Sequence, residues 1–182
     1  MKFIQTNIPG VVLVEPRAFK DSRGFFYESY NAEVFKEHGI PATFIQDNHV
    51  WSCRGVLRGL HYQTPPKAQA KLVRVVRGRI FDVAVDLRKQ SSTYGKSIGV
   101  MLGAEDRRMI YIPEGFAHGY LSLEEETEVL YKVTHLYSPA HEAGILWNDP
   151  LLNIEWPKLG MDYLLSDKDQ KLPFFKNAAQ AD

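Results

Sequence analysis

Cysteine is nearly missing from this chain: Cys53 is the only one in 182 residues. An internal disulfide is thereby excluded, and the usage fits a reducing compartment. No apolar run is long enough to span a bilayer, and the opening residues, MKFIQTNIPG, lack the apolar core of a signal peptide. Charge of one sign is not in excess either. The 22 basic and 22 acidic residues cancel, so no overall field favours nucleic acid or an anionic membrane, although a local basic pocket stays compatible with that balance. The expectation is a soluble cytoplasmic protein with no nucleic-acid or membrane partner. Repeats, low-complexity tracts and linker-like stretches are missing too, and the length suits one domain over 1–182 with a sizeable core.

The histidines lack the company that a metal needs. In Gly59-Leu60-His61-Tyr62-Gln63, the position two after His61 is a glutamine, where a metal-binding barrel usually carries a second histidine. Pro113-Glu114-Gly115-Phe116-Ala117-His118 adds one more histidine at a P-x-G-x-x-H spacing that suits a hairpin. With so few ligands, the expected metal site is none. An imidazole without a metal still serves as a base near neutral pH. His61 and Arg58 lie three apart, so a regular strand would turn them to opposite faces. Gly59 between them is a place for a bulge that would bring both to one cavity.

Helix signals are sparse. The clearest predicts a helix over Ala32 to His38, with Asn31 as N-cap and Gly39 just past the end, and a short helical turn is expected from Ser166. Strand signals dominate. Lys71 to Val76 and Arg79 to Leu87 are rich in β-branched residues, and Arg77-Gly78 suits a tight turn between them. In the second run Phe81, Val83, Val85 and Leu87 alternate with Asp82, Ala84 and Asp86. Further strands are expected at Val11 to Glu15, Phe25 to Tyr30, Gly55 to Tyr62, Ser97 to Leu102, Arg108 to Ile112, Gly119 to Ser122 and Glu128 to Tyr137. Glu124-Glu125-Glu126 reads as a solvated hairpin tip. Many short strands between Gly/Pro turns point to an all-β, double-sheet jelly roll or small barrel with a few short peripheral helices.

Seven segments occur in a telling order. They are D-x-R-G-F-F-Y-E (Asp21 to Glu28), Q-D-N (Gln46 to Asn48), R-G-L-H-Y-Q (Arg58 to Gln63), Lys71, I-P-E-G-F-A-H-G (Ile112 to Gly119), L-Y-K-V-T (Leu130 to Thr134) and L-S-D-K-D (Leu165 to Asp169). Together, from about Phe3 to Pro173, they resemble the dTDP-4-dehydrorhamnose 3,5-epimerase family of dTDP-L-rhamnose synthesis. The resemblance implies a metal-free cupin jelly roll that needs no cofactor. It also implies a homodimer in which an N-terminal strand crosses to the partner's sheet, and a substrate, dTDP-4-dehydro-6-deoxy-D-glucose, with its ketone at C4.

Inverting C3 and C5 beside a ketone requires a base, a group that stabilises the enolate oxygen, and an acid across the ring. By the resemblance His61 is the base. Asp169 is the expected carboxylate behind it, although Ser166-Asp167-Lys168-Asp169 also fits a helix capping box, and Asp82 is a rival partner. Lys71, at the head of an apolar strand, is the candidate for the enolate oxygen, against a plain strand-edge lysine. Tyr131 is the candidate acid. Period-two alternation puts Val129, Tyr131, Val133, His135 and Tyr137 on one strand face, so Tyr131 and Tyr137 are expected to share a cavity. His118 is expected to bond the sugar or the enolate oxygen. For the nucleotide, Arg23, Arg58 and Lys168 supply cations for the diphosphate. Phe26, Tyr137 and Glu28 resemble the thymidine contacts, Gln46 and Asn48 share one strand face, and Glu142 matches a further contact.

Three other readings stay open. A metal-dependent cupin oxygenase would need His61 and His118 plus two more ligands, and Gln63 is a poor one for iron. A non-catalytic sugar-binding jelly roll would have no use for His61, Lys71 and Tyr131 together. Single epimerases and ketoisomerases acting on the same 4-ketosugars are compatible with both His61 and Tyr131.

Overall fold

The computed structural model describes residues 1–41, 43–179 and 181. In chain order the strands are β1 (Lys2–Gln5), β2 (Val12–Glu15), β3 (Phe19–Asp21), β4 (Gly24–Phe26), β5 (Gln46–Ser52), β6 (Leu57–Gln63) and β7 (Lys71–Arg77). They continue as β8 (Arg79–Asp86), β9 (Ser97–Gly103), β10 (Met109–Ile112), β11 (Phe116–Ser122), β12 (Thr127–Val133) and β13 (Glu142–Gly144). A six-stranded sheet has the order β1-β2-β10-β7-β12-β5, and a five-stranded sheet the order β13-β6-β11-β8-β9. This is the expected double-sheet jelly roll. One helix, α1 (Ala32–Glu37), starts where Asn31 Oδ1 accepts the amides of Glu33 and Val34, as its N-cap residue predicts. The turn after Ser166 is the 3-10 helix Asp169–Lys171.

Three apolar layers hold the sheets. Val73, Val75, Ile110, Ile112 and Val129 of the larger sheet meet Ile80, Ala84, Leu102, Phe116 and Tyr120 of the smaller one. Outside the larger sheet, α1 lays Phe35 over Val12, Val14, Leu72 and Met109. Outside the smaller sheet, Ile145, Leu152 and Trp156 cover Val83, Val85, Leu60 and Leu121. Both faces of β8 are therefore buried. Phe81, Val83 and Val85 look outward under the C-terminal segment, and Ile80, Asp82 and Ala84 look into the space between the sheets.

Several expectations are corrected. β7 and β8 lie in different sheets, so Arg77-Gly78 is not a hairpin turn. Gly78, at φ +73°, carries the chain from one sheet to the other, and a Cβ there would stand 2.5 Å from Thr127 Oγ1. The exposed Glu124–Glu126 run likewise joins two sheets, and Glu126 pairs with Arg77. The strand expected from Phe25 to Tyr30 stops at Phe26, and that from Glu128 to Tyr137 stops at Val133. β11 starts at Phe116 rather than Gly119. β1, β3 and β13 carry too little alternation in three or four residues to be read.

Candidate active site

The site opens between the sheets, and a bulge builds it. Along β6 and β11, His61 faces His118 and Arg58 faces Tyr120, so two residues of β6 oppose one of β11. Gly59 absorbs the extra residue at φ +122°. A Cβ on it would stand 2.5 Å from Gly119 Cα, closer than a side chain tolerates. The consequence is the one expected: Arg58 and His61 line one cleft of about 530 Å³, with Lys71, His118, Tyr120, Tyr131, Lys168 and Asp169.

Asp169 is the partner of His61. Its Oδ1 lies 2.5 Å from His61 Nε2, which leaves Nδ1 as the nitrogen able to take a proton. Burial pushes the Asp169 carboxyl up, but His61 and the Gly59 backbone outweigh it and hold the pKa below the ordinary value. Half of the capping box is met, because Ser166 Oγ accepts the Asp169 amide at 3.1 Å, while the Asp169 carboxylate turns to His61. One residue thus fixes the turn and the imidazole. Asp82, the rival, belongs to the other histidine: its Oδ2 lies 2.8 Å from His118 Nε2. Burial depresses the His118 pKa despite that carboxylate.

Lys71 is buried, and its Nζ crosses the gap between sheets to donate to the His61 carbonyl at 3.2 Å. Burial lowers its pKa to about 8, against the opposing pull of Asp82 and Glu142. Tyr131 faces the cleft from β12, and burial raises its pKa while Arg58 draws it down. His61 and Tyr131 therefore belong to opposite sheets.

A second lobe of about 310 Å³ shares His61, Lys71 and Tyr131 and adds Gln46, Asn48, Tyr137 and Glu142. Gln46 Nε2 donates to Asn48 Oδ1 at 3.0 Å, as their shared face predicts. Tyr137 reaches this lobe although its strand has ended, because its amide donates to Gln46 Oε1 at 3.0 Å. Glu142 accepts from the Tyr137 hydroxyl at 2.8 Å and pairs with Lys168 Nζ at 2.5 Å. Burial raises its pKa, but Lys168 and Tyr137 win and hold it low.

Arg23, Phe26 and Glu28 are not brought to this cleft within one chain. Arg23 and Phe26 sit on and beside the exposed β3–β4 hairpin, where Arg23 pairs with Asp21 at 2.6 Å and Phe26 is 70% exposed. Glu28 accepts from Asn31 Nδ2. β1, the N-terminal strand expected to cross to a partner's sheet, pairs here with β2 of its own chain. Gln63 is occupied structurally, donating to the Lys67 carbonyl and accepting the Ser138 amide. Tyr120 is a cleft residue that the sequence reading passed over. The signal was present: it follows His118 by two on the same strand.

The family model described as dTDP-4-dehydrorhamnose 3,5-epimerase matches residues 5–177. A dTDP-4-dehydrorhamnose 3,5-epimerase of Shigella flexneri is 56% identical over 170 residues, covering 93% of each chain. The crystal structure of such an epimerase from Bacillus anthracis, with TDP and PPi bound, superposes with a TM-score of 0.92 at 48% identity, covering 96% of this chain and 99% of that one. A Legionella pneumophila epimerase in complex with dTDP-4-keto-L-rhamnose gives 0.93 at 45% identity, covering 97% and 93%. By sequence, fold and the order of its cleft residues, the chain belongs to the dTDP-4-dehydrorhamnose 3,5-epimerase family.

Proposed function

We propose that this cleft inverts C3 and C5 of dTDP-4-dehydro-6-deoxy-D-glucose to give dTDP-4-dehydro-L-rhamnose, with His61 as base and Tyr131 as acid. The observation that carries this reading is their placement on facing sheets. A sugar ring lying between them presents one face to each. His61 Nδ1 removes the proton beside the ketone, and Asp169 stabilises the imidazolium through Nε2. The carbonyl oxygen takes up negative charge as the enolate forms. Lys71 stabilises it in a site shielded from water, and His118, on the facing sheet with Nε2 held by Asp82, hydrogen-bonds the sugar through Nδ1. Tyr131 then delivers a proton to the opposite face. The ketone acidifies both carbons, so this chain's own side chains suffice for each step.

The nucleotide half is read from charge. Arg58 and Lys168 flank the cleft and suit a diphosphate, and Gln46, Asn48, Tyr137 and Glu142 form the adjoining polar lobe. Arg23, Phe26 and Glu28 fit the same ligand only if they come from elsewhere. The reading is therefore a homodimer in which the exposed β3–β4 segment of one protomer completes the partner's cleft. The core shared by both sheets supports one domain over 1–182. Among the described residues no helix is long and apolar enough to cross a membrane. That finding and the single cysteine support the cytoplasm as its place.

Incubation with the substrate in deuterated water tests the function. Deuterium and inversion at both C3 and C5 are expected. Label and inversion at one carbon alone would make it a single epimerase.

A further inference from the structure

Arg58 does not hang freely at the mouth of the cleft. It starts on β6 in the five-stranded sheet, and its guanidinium reaches across to β5, the edge strand of the other sheet. There Nε donates to Ser52 Oγ at 3.2 Å and Nη2 donates to the Trp51 carbonyl at 3.3 Å. Neither contact is a carboxylate, so the positive charge is not cancelled by the groups that hold it. Ser52 is the last residue of β5 and is 2% exposed. Beside it stands Tyr120, the cross-strand neighbour of Arg58 on β11. The phenol oxygen of Tyr120 is sealed from solvent, and no well-formed hydrogen bond ends on it. Ser52 is near enough to act on that phenol, although burial dominates and raises its pKa. The Arg58–Ser52 bond thus has one buried end, at Ser52, and one exposed end, at Arg58.

Arginine has many rotamers, and a clamp that must be frozen as ligand binds loses affinity to the entropy of freezing. A guanidinium already aimed by a buried acceptor avoids much of that loss. We propose that Ser52 is a positioning residue for Arg58, its hydroxyl holding the guanidinium across the gap between the sheets so that the remaining N–H groups face the diphosphate. This rests on the reading of Arg58 as the anion clamp. Ser52 itself touches no reacting atom, so its loss acts on binding and leaves the chemical step alone.

The test is calorimetric titration of the full-length protein with dTDP, on wild type, Arg58→Ala, Ser52→Ala and the double variant, with KM and kcat measured alongside. Arg58→Ala is expected to weaken dTDP binding roughly tenfold to a hundredfold, the loss of a charge-assisted contact. Ser52→Ala is expected to weaken it roughly three- to tenfold, with KM rising in step and kcat within about twofold. The double variant should bind no more weakly than Arg58→Ala alone, because Ser52 acts only through the arginine. Wild-type affinity in Ser52→Ala would overturn the inference. So would a Ser52→Ala loss that carries over in full when Arg58 is already alanine. Wild-type affinity in Arg58→Ala would overturn the clamp reading, and the positioning role with it.

Discussion

His61 and Asp169 are 108 residues apart in sequence, and their side chains meet at 2.5 Å. The carboxylate engages Nε2, so the imidazole is held in one orientation with Nδ1 as its basic nitrogen. Asp169→Asn keeps the size of the side chain and removes the charge that stabilises the imidazolium. We expect kcat to fall roughly a hundredfold or more, the order attached to a positioned acid–base group, with dTDP affinity close to wild type. Steady-state kinetics beside calorimetry check this. A variant with near-normal kcat would show that His61 works without its carboxylate.

Lys71 sets an alkaline limit. Its pKa, lowered to about 8 by burial, means that the free enzyme loses this cation as pH rises through that value. Because the enolate needs the charged form, kcat/KM is expected to fall above about pH 8. Lys71→Arg, which stays charged, should be slower at neutral pH but should lack that limb. The sign for stability is opposite. Lys71 is less easily protonated folded than unfolded, so its contribution to stability improves as pH rises from about 8 towards its ordinary value. An alkaline limb that persists unchanged in Lys71→Arg would assign it to another group.

Gly59 carries the bulge that aims both Arg58 and His61. Gly59→Ala would need φ +122° with a Cβ 2.5 Å from Gly119 Cα and 2.9 Å from the His118 carbonyl oxygen. We expect a stability loss of about 2–4 kcal/mol in urea denaturation, and lower activity in whatever protein still folds. Wild-type stability would mean that β6 and β11 are not so closely opposed.

If the partner's β3–β4 segment completes each cleft, lesions in different protomers should complement. His61→Asn and Arg23→Ala proteins should each be impaired alone. Co-expressed, they should form mixed dimers with one intact site, made from the His61 of one protomer and the Arg23 of the other. About a quarter of wild-type activity is expected, since about half the dimers are mixed and each has one of two sites intact. Activity no greater than the average of the two parent proteins would place Arg23 outside the partner's site.

The fold class was legible because alternation and Gly/Pro turns are local signals. Strand pairing was not. Gly78 supports a turn whether the chain folds back into the same sheet or crosses to the other, and only the packing of Thr127 against it distinguishes the two. In β8 alternation revealed a strand but not which face looks inward, because both are buried, one under residues 145–178 and one in the site. Arg58, Gly59 and His61 were read correctly because a three-residue spacing around a glycine has one economical explanation, a bulge. The pairing of Asp82 with His118 instead of His61 depends on the register of β8, β11 and β6, which no single strand encodes. Tyr120 is hidden because the sequence pattern begins a strand only at Gly119, which separates it from His118, its neighbour on the same face of β11.

The central claim is that proton removal and proton return occur on opposite faces, and His61→Asn and Tyr131→Phe in deuterated water test it most directly. His61→Asn removes the base, so deuterium incorporation at C3 and at C5 should collapse together. Tyr131→Phe keeps the base and the ring packing but deletes the phenolic proton. Its enolates should still form and be reprotonated from the His61 side, giving substrate of unchanged configuration that carries deuterium. Exchange without matching epimerisation is the result the account predicts. Loss of exchange in Tyr131→Phe as complete as in His61→Asn, with dTDP still bound, would contradict it and would require Tyr131 to act in removing the proton.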